Sequence, residues 1–213
     1  MKEKTRTIAG IVAAGPVIPV VTIDDAGRAA ALARALLAGG ITVIEVTLRT
    51  AAALDAIRAI AAEVPGITIG AGTVLETGQL DAAMDAGARF AVSPGATARL
   101  LDAAAGHPLA LLPGAATVSE SMALLERGHE FQKFFPAGPA GGPAYLGSLV
   151  SPLPRARFCP TGGVTAANAP DYLRLANVVC VGGSWVTPAD AVDVGDWDRI
   201  SELARAAAAL TPA

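Results

Sequence analysis

Eight short β-branched or apolar runs recur along this chain, roughly every 20 to 26 residues, and that rhythm limits its fold more than any other feature. They are VIPVVTI from Val17, TVIEVTL from Thr42, ITIGAG from Ile67, FAVSPG from Phe90, LALLPG from Leu109, FQKFFP from Phe131, ARFCPTGG from Ala156 and VVCVGGSW from Val178. The segments between them carry apolar residues at three- and four-residue spacing, as in Ala30, Ala33, Leu37 and Leu54, Ile57, Ala61, which predicts helices. Gly39, Gly87 and Gly128 stand where those helices would stop. Eight strand-helix units in 213 residues predict a (β/α)8 TIM barrel spanning 1–213 as a single domain with an N-terminal helix. An open doubly wound sheet is the alternative, but it does not by itself favour eight even units. No Gly-x-Gly-x-x-Gly follows the first run, which argues against a dinucleotide site.

Composition narrows the classes of partner. Charged residues are 16% and the formal net charge is −3, so the chain offers no basic field for a phosphodiester backbone. Only two Trp and two Tyr are available for base stacking, and nucleic acid is not an expected partner. Cys159 and Cys180 lie in apolar runs at no zinc-like spacing, which predicts small buried hydrophobes in a reducing compartment. The uncharged run from Ile8 to Ile23 after KEKTR superficially resembles a signal peptide, but Pro16 and Pro19 interrupt it. The expectation is a helix stopped at Gly15, then a strand, in a cytoplasmic protein. Phe134 to Pro154 is uncharged but too rich in Gly and Pro to span a bilayer, so no membrane association is expected.

In such barrels the strand C-terminal ends and the loops after them build the active site. Ionisable residues occupy the centre of only two runs, Glu45 in the second and Lys133 in the sixth. By two-residue alternation Glu45 shares a face with Val43 and Thr47, and Lys133 with Phe131 and Phe135. If both faces point inward, acid and amine lie across from each other. A buried ion pair is a poor device for stability alone, because both charges lose their water. The functional reading is that Phe131, Phe134 and Phe135 desolvate the lysine and favour its neutral, nucleophilic form, while the carboxylate moves protons. An amine of that kind attacks a carbonyl carbon and yields an iminium that draws electrons from the adjacent C–C bond. No metal and no cofactor is called for.

Thr161, Gly162 and Gly163 close the seventh run, and Gly183 and Ser184 the eighth. Glycine pairs at these two consecutive ends, near helix N-termini, predict a phosphate site. Arg49, just past the second run, is set to hold a carboxylate or phosphate by a forked contact. Thr73 could donate a hydroxyl hydrogen bond, or cap a helix. His107 and His129 each precede a strand, on the face away from the strand ends, so a metal role is not expected for either.

VIEVTLRT, GAGTV, FAVSPG, FQKFFPA, RFCPTGGV and CVGGSWVTPADA together resemble the 2-dehydro-3-deoxy-phosphogluconate (KDPG) aldolase family, which includes the 4-hydroxy-2-oxoglutarate (KHG) aldolases, from about Val17 to the last helix. The resemblance implies a homotrimeric class I aldolase of the Entner–Doudoroff pathway. Such an enzyme cleaves a phosphorylated 2-keto-3-deoxy sugar acid to pyruvate and glyceraldehyde 3-phosphate. It implies the Schiff base at Lys133 and the general acid/base at Glu45. Arg49 and Thr73 would bind the pyruvyl carboxylate, Thr161 would influence stereochemistry, and Gly162, Gly163, Gly183 and Ser184 would hold phosphate. After FFPA the family commonly has an acidic residue, whereas Gly138, Pro139 and Ala140 follow here. The galactonate-derived substrate and 4-hydroxy-2-oxoglutarate remain alternatives, as do a phosphate-binding barrel isomerase or epimerase and a non-catalytic oligomeric scaffold that keeps the fold.

Overall fold

The structure is a computed structural model that describes residues 2–211. Each of the eight runs forms strand: β1 Val17–Val21, β2 Val43–Thr47, β3 Thr68–Gly72, β4 Phe90–Val92, β5 Ala110–Leu112 with β6 Gly114–Ala115, β7 Phe131–Phe134, β8 Arg157–Pro160 and β9 Val181–Gly183. Helices α1 Lys2–Val12, α2 Ala29–Ala38, α3 Ala53–Glu63, α4 Gly78–Asp85, α5 Ala98–Gly106, α6 Val118–Glu126, α7 Gly142–Ser148, α8 Ala169–Leu173, α9 Ala189–Val194 and α10 Trp197–Ala208 lie before, between and after them. Every ladder is parallel. Parallel neighbours need a crossover of a dozen or more residues, which the intervening helices provide.

The single eight-stranded sheet expected from the sequence is met in part. The fold is parallel α/β, but its strands form a six-stranded sheet, β5-β4-β3-β2-β1-β9, and a three-stranded sheet, β6-β7-β8. The fifth run is cut at Pro113, which has no N–H to give to a ladder. The carbonyl of Pro113 still accepts from the Lys133 N–H at 2.8 Å. β8 and β9 share no regular ladder; between them lie isolated parallel bridges from Phe158 to Val178 and from Thr161 to Gly182.

Two apolar clusters follow from strand alternation. The larger packs Ile44, Val46, Ile69, Ala71 and Ala91 against helix residues such as Leu32, Leu36, Ile57 and Ile60. The smaller draws Ile18, Val43, Phe90, Leu112 and Cys159 from both sheets, together with Ile8, Ile11 and Val12 of α1. Thus the run that superficially resembled a leader begins as a helix covering the interior cluster, where each such side chain contributes about 1.5–3 kcal/mol by burial. Cys159 and Cys180 are both free, buried thiols. Among the described residues no helix is long and apolar enough to cross a membrane.

Candidate active site

β2 and β7 carry the two charged residues inward at the same level. Val43 and Phe131 lie in the interior cluster or against it, so Glu45 and Lys133, two residues further on, point to the same side nearer the strand C-terminal ends. The Lys133 Nζ donates to Glu45 Oε1 at 2.9 Å and to Oε2 at 3.3 Å. With exposures of 2% and 3% respectively, neither charge is solvated, and each depends on the other. The Phe135 ring centroid lies 5.6 Å from Nζ, within cation–π range. Phe134 does not desolvate the lysine as expected. Adjacent strand residues face opposite ways, and its ring instead stacks on Tyr145 at 5.4 Å and meets Phe158 edge-on at 6.2 Å.

Arg49 and Thr73, singled out separately from sequence, touch each other. The Arg49 Nε donates to Thr73 Oγ1 at 3.0 Å. Thr73 has φ 58, and a β-branched residue in the left-handed region is strained by about 1–3 kcal/mol. In this left-handed conformation the Thr73 hydroxyl meets the guanidinium next to the end of β3. Close by, Thr47 donates to the Val21 carbonyl at 3.1 Å and lies 3.1 Å from the Thr22 hydroxyl, tying β2 to β1 just beyond Glu45.

The two glycine loops adjoin. Thr161 is buried, its hydroxyl donates to the Cys159 carbonyl at 3.3 Å, and it bridges Gly182. Gly162 and Gly163 follow with φ 93 and 79, conformations that L side chains rarely adopt. Gly183 is buried under the Trp185 ring, and Ser184 is exposed at the rim. Gly138, part of the departure from the family pattern, donates its N–H to the Gly162 carbonyl at 2.8 Å, while Ala137 donates to the Thr161 carbonyl at 2.8 Å. The loop after β7 is thus laced to the glycine turn by backbone contacts that need no acidic side chain.

Sequence reasoning missed two participants. Asn168 donates to the Gly163 carbonyl at 3.0 Å and accepts from the Thr165 N–H at 2.8 Å, locking the glycine turn; Thr165, three residues ahead of it, was the available sign. Gly72 leaves the space that the Glu45 carboxylate fills, and a glycine ending a strand was its only mark. His107 contacts Asp81 at 3.1 Å, and no group of three or more metal-ligating side chains occurs among the described residues.

A parallel α/β chain whose strand ends bring a buried lysine against a glutamate, beside a glycine-lined rim, is built as a lyase of the aldolase class. The family model described as "Aldolase: KDPG and KHG aldolase" matches residues 8–203. The chain belongs to the KDPG and KHG aldolase family. It is 50% identical over 207 residues to the KHG/KDPG aldolase of Escherichia coli K12, covering 97% of each chain. The crystal structure of the 2-keto-3-deoxy-6-phosphogluconate aldolase of Zymomonas mobilis with 3-phosphoglycerate superposes with a TM-score of 0.92 at 47% identity, covering 98% of both chains. The KDPG aldolase of Legionella pneumophila, with pyruvate captured as a covalent carbinolamine, gives a TM-score of 0.91 at 47% identity, covering 93% of this chain and 97% of that one.

Proposed function

We propose that this enzyme cleaves 2-dehydro-3-deoxy-6-phosphogluconate to pyruvate and glyceraldehyde 3-phosphate through a Schiff base on Lys133. The observation that carries the reading is the 2.9 Å contact between the buried Lys133 amine and the Glu45 carboxylate. A proton passed along that contact turns the ion pair into a neutral amine and a carboxylic acid, which are the nucleophile and the acid that imine formation requires.

The amine adds to the C2 keto carbon, and Glu45 protonates the departing hydroxyl so that the carbinolamine becomes an iminium. Glu45, directly or through one water, then takes the C4 hydroxyl proton. The C3–C4 pair flows to the iminium nitrogen, the aldehyde leaves, and an enamine of pyruvate remains. Protonation at C3 and attack of water on the iminium release pyruvate and the free lysine. In this scheme Arg49 and Thr73 hold the carboxylate, and Thr161 bears on the face at which the new bond forms in reverse. Gly162, Gly163, Gly183 and Ser184 hold the terminal phosphate, which contributes orientation more than bond chemistry.

We also infer that the two sheets form one closed eight-stranded barrel in a single domain, 1–213. Support comes from the Lys133 contact to Pro113 between β5 and β6 and from the two isolated bridges between β8 and β9. A homotrimer in the cytoplasm is the reading carried by family membership, and native mass tests the subunit number. The covalent step is tested by adding borohydride to enzyme with pyruvate and reading the intact mass: a stable adduct is expected on the wild type and none on Lys133→Ala. Absence of the wild-type adduct, under conditions that trap a known lysine aldolase, overturns the reading. A substrate panel with and without the terminal phosphate, followed as pyruvate release, distinguishes the gluconate- and galactonate-derived acids from 4-hydroxy-2-oxoglutarate.

A further inference from the structure

Gly72 ends β3 beside β2, and the Glu45 carboxylate lies where its side chain would be. A Cβ at position 72 would stand 2.1 Å from Glu45 Oε1, 2.5 Å from Cγ and 2.6 Å from Cδ, and these are the three nearest atoms. Non-bonded carbons at contact stay about 3.5–4.0 Å apart, so no L side chain at 72 coexists with the carboxylate in this position. Backbone conformation does not call for glycine here, because Gly72 is absent from the positive-φ residues. Nor is the strand free to recede: the Gly72 carbonyl accepts from the Leu48 N–H at 2.8 Å, and β3 is registered on β2 along five residues from Val43–Thr68 to Thr47–Gly72.

We propose that Gly72 is a positioning residue for the aldolase chemistry: by carrying no side chain, it keeps the Glu45 carboxylate in reach of the Lys133 amine. An alanine methyl displaces the carboxylate by about 1 Å or more, a shift that costs on the order of 10²-fold where a proton must be handed over at hydrogen-bond distance. The inference rests on the roles proposed for Lys133 and Glu45. It concerns the proton transfers, in which the carboxylate takes a C3 proton from the Lys133–pyruvate iminium, leaving the enamine, and returns one to C3.

The test follows pyruvate alone. In D2O, the methyl protons of pyruvate should exchange on the wild type, as read by proton NMR, while borohydride traps the Lys133 adduct. In Gly72→Ala the adduct should still form and the exchange rate should fall on the order of 10²-fold. Exchange reduced by less than about tenfold, with the adduct present, overturns the proposal. If the wild type neither traps nor exchanges, the proposed function has failed rather than the role of Gly72. If Gly72→Ala loses adduct and exchange together, a stability cycle decides. The loss of Tm caused by Gly72→Ala should largely vanish in a Glu45→Ala background, where the three nearest atoms are gone; an undiminished loss there overturns the steric pairing.

Discussion

The Lys133 amine and the Glu45 carboxylate meet at 2.9 Å although 88 residues separate them, and neither is in contact with bulk water. Two opposite charges in that setting support each other and, by exchanging one proton, become a nucleophile and an acid. The first two predictions follow from this pair.

Glu45→Gln retains a hydrogen-bonding group of the same shape but cannot accept or return a proton. Turnover should fall by at least ~10²-fold with the fold intact by circular dichroism, while the borohydride adduct with pyruvate still accumulates at a reduced rate. Near-normal turnover would remove Glu45 from its role.

Lys133→Ala leaves a buried carboxylate without its partner. Beyond abolishing turnover, it should lower unfolding free energy by about 3–5 kcal/mol, measured by urea denaturation. Combining Lys133→Met with Glu45→Gln should recover much of that loss, because no uncompensated charge is then buried.

Thr73 is held at φ 58 and receives the Arg49 Nε hydrogen bond. Thr73→Gly relieves the strain but drops the hydroxyl, so stability should be kept or changed by no more than about 1 kcal/mol, while KM for the keto acid rises. Arg49→Lys should raise KM as well, since a point charge does not replace the guanidinium fork. An unchanged KM in both variants would exclude the pair from substrate binding.

Gly162 has φ 93, and a Cβ there would come within 3.1 Å of the Phe135 ring. Gly162→Ala should reshape the turn, raising KM for the phosphorylated substrate much more than for its dephosphorylated analogue. Equal effects on the two substrates would separate the turn from phosphate recognition.

Burial, then the charges of Arg127 and Lys4, hold the His129 imidazole below its ordinary 6.5. The unfolded chain therefore takes up this proton at higher pH than the folded one. Stability from the neutral ring is fully present above the unfolded-state value and is lost as pH falls through it toward the folded-state value. Tm measured from about pH 7 to pH 5 should decline less steeply in His129→Gln than in the wild type.

Much of the candidate site was legible in the sequence, because side-chain alternation in a strand is a local rule. The runs around Glu45 and Lys133 each place one ionisable residue among mostly apolar neighbours along the strand, and a charge set in such a run points to a buried position. The glycines at 162, 163 and 183 stood out for a different reason: left-handed turns at 162 and 163 and the close approach of Trp185 at 183 leave glycine as the residue of choice, while their hold on phosphate is a proposal. Phe134 was misread because adjacency in sequence was taken for adjacency in space, whereas the pleat sends its ring to the opposite side. Asn168 and Gly72 were not legible as functional, since an asparagine in a loop and a glycine at a strand end have many ordinary uses.

By itself the sequence determined the order of strands and helices, the alternation that sets Glu45 and Lys133 each on one strand face, and the chemical kinds of group available at the strand ends. Only the tertiary structure decided that the fifth run breaks at Pro113, that Thr73 turns left-handed onto Arg49, and that Glu45 leans over Gly72 to reach Lys133. The division is physical. Secondary structure and facing are set by neighbours within a few residues, whereas which inward groups touch depends on register between distant strands, where a slip of one residue turns every side chain to the other face.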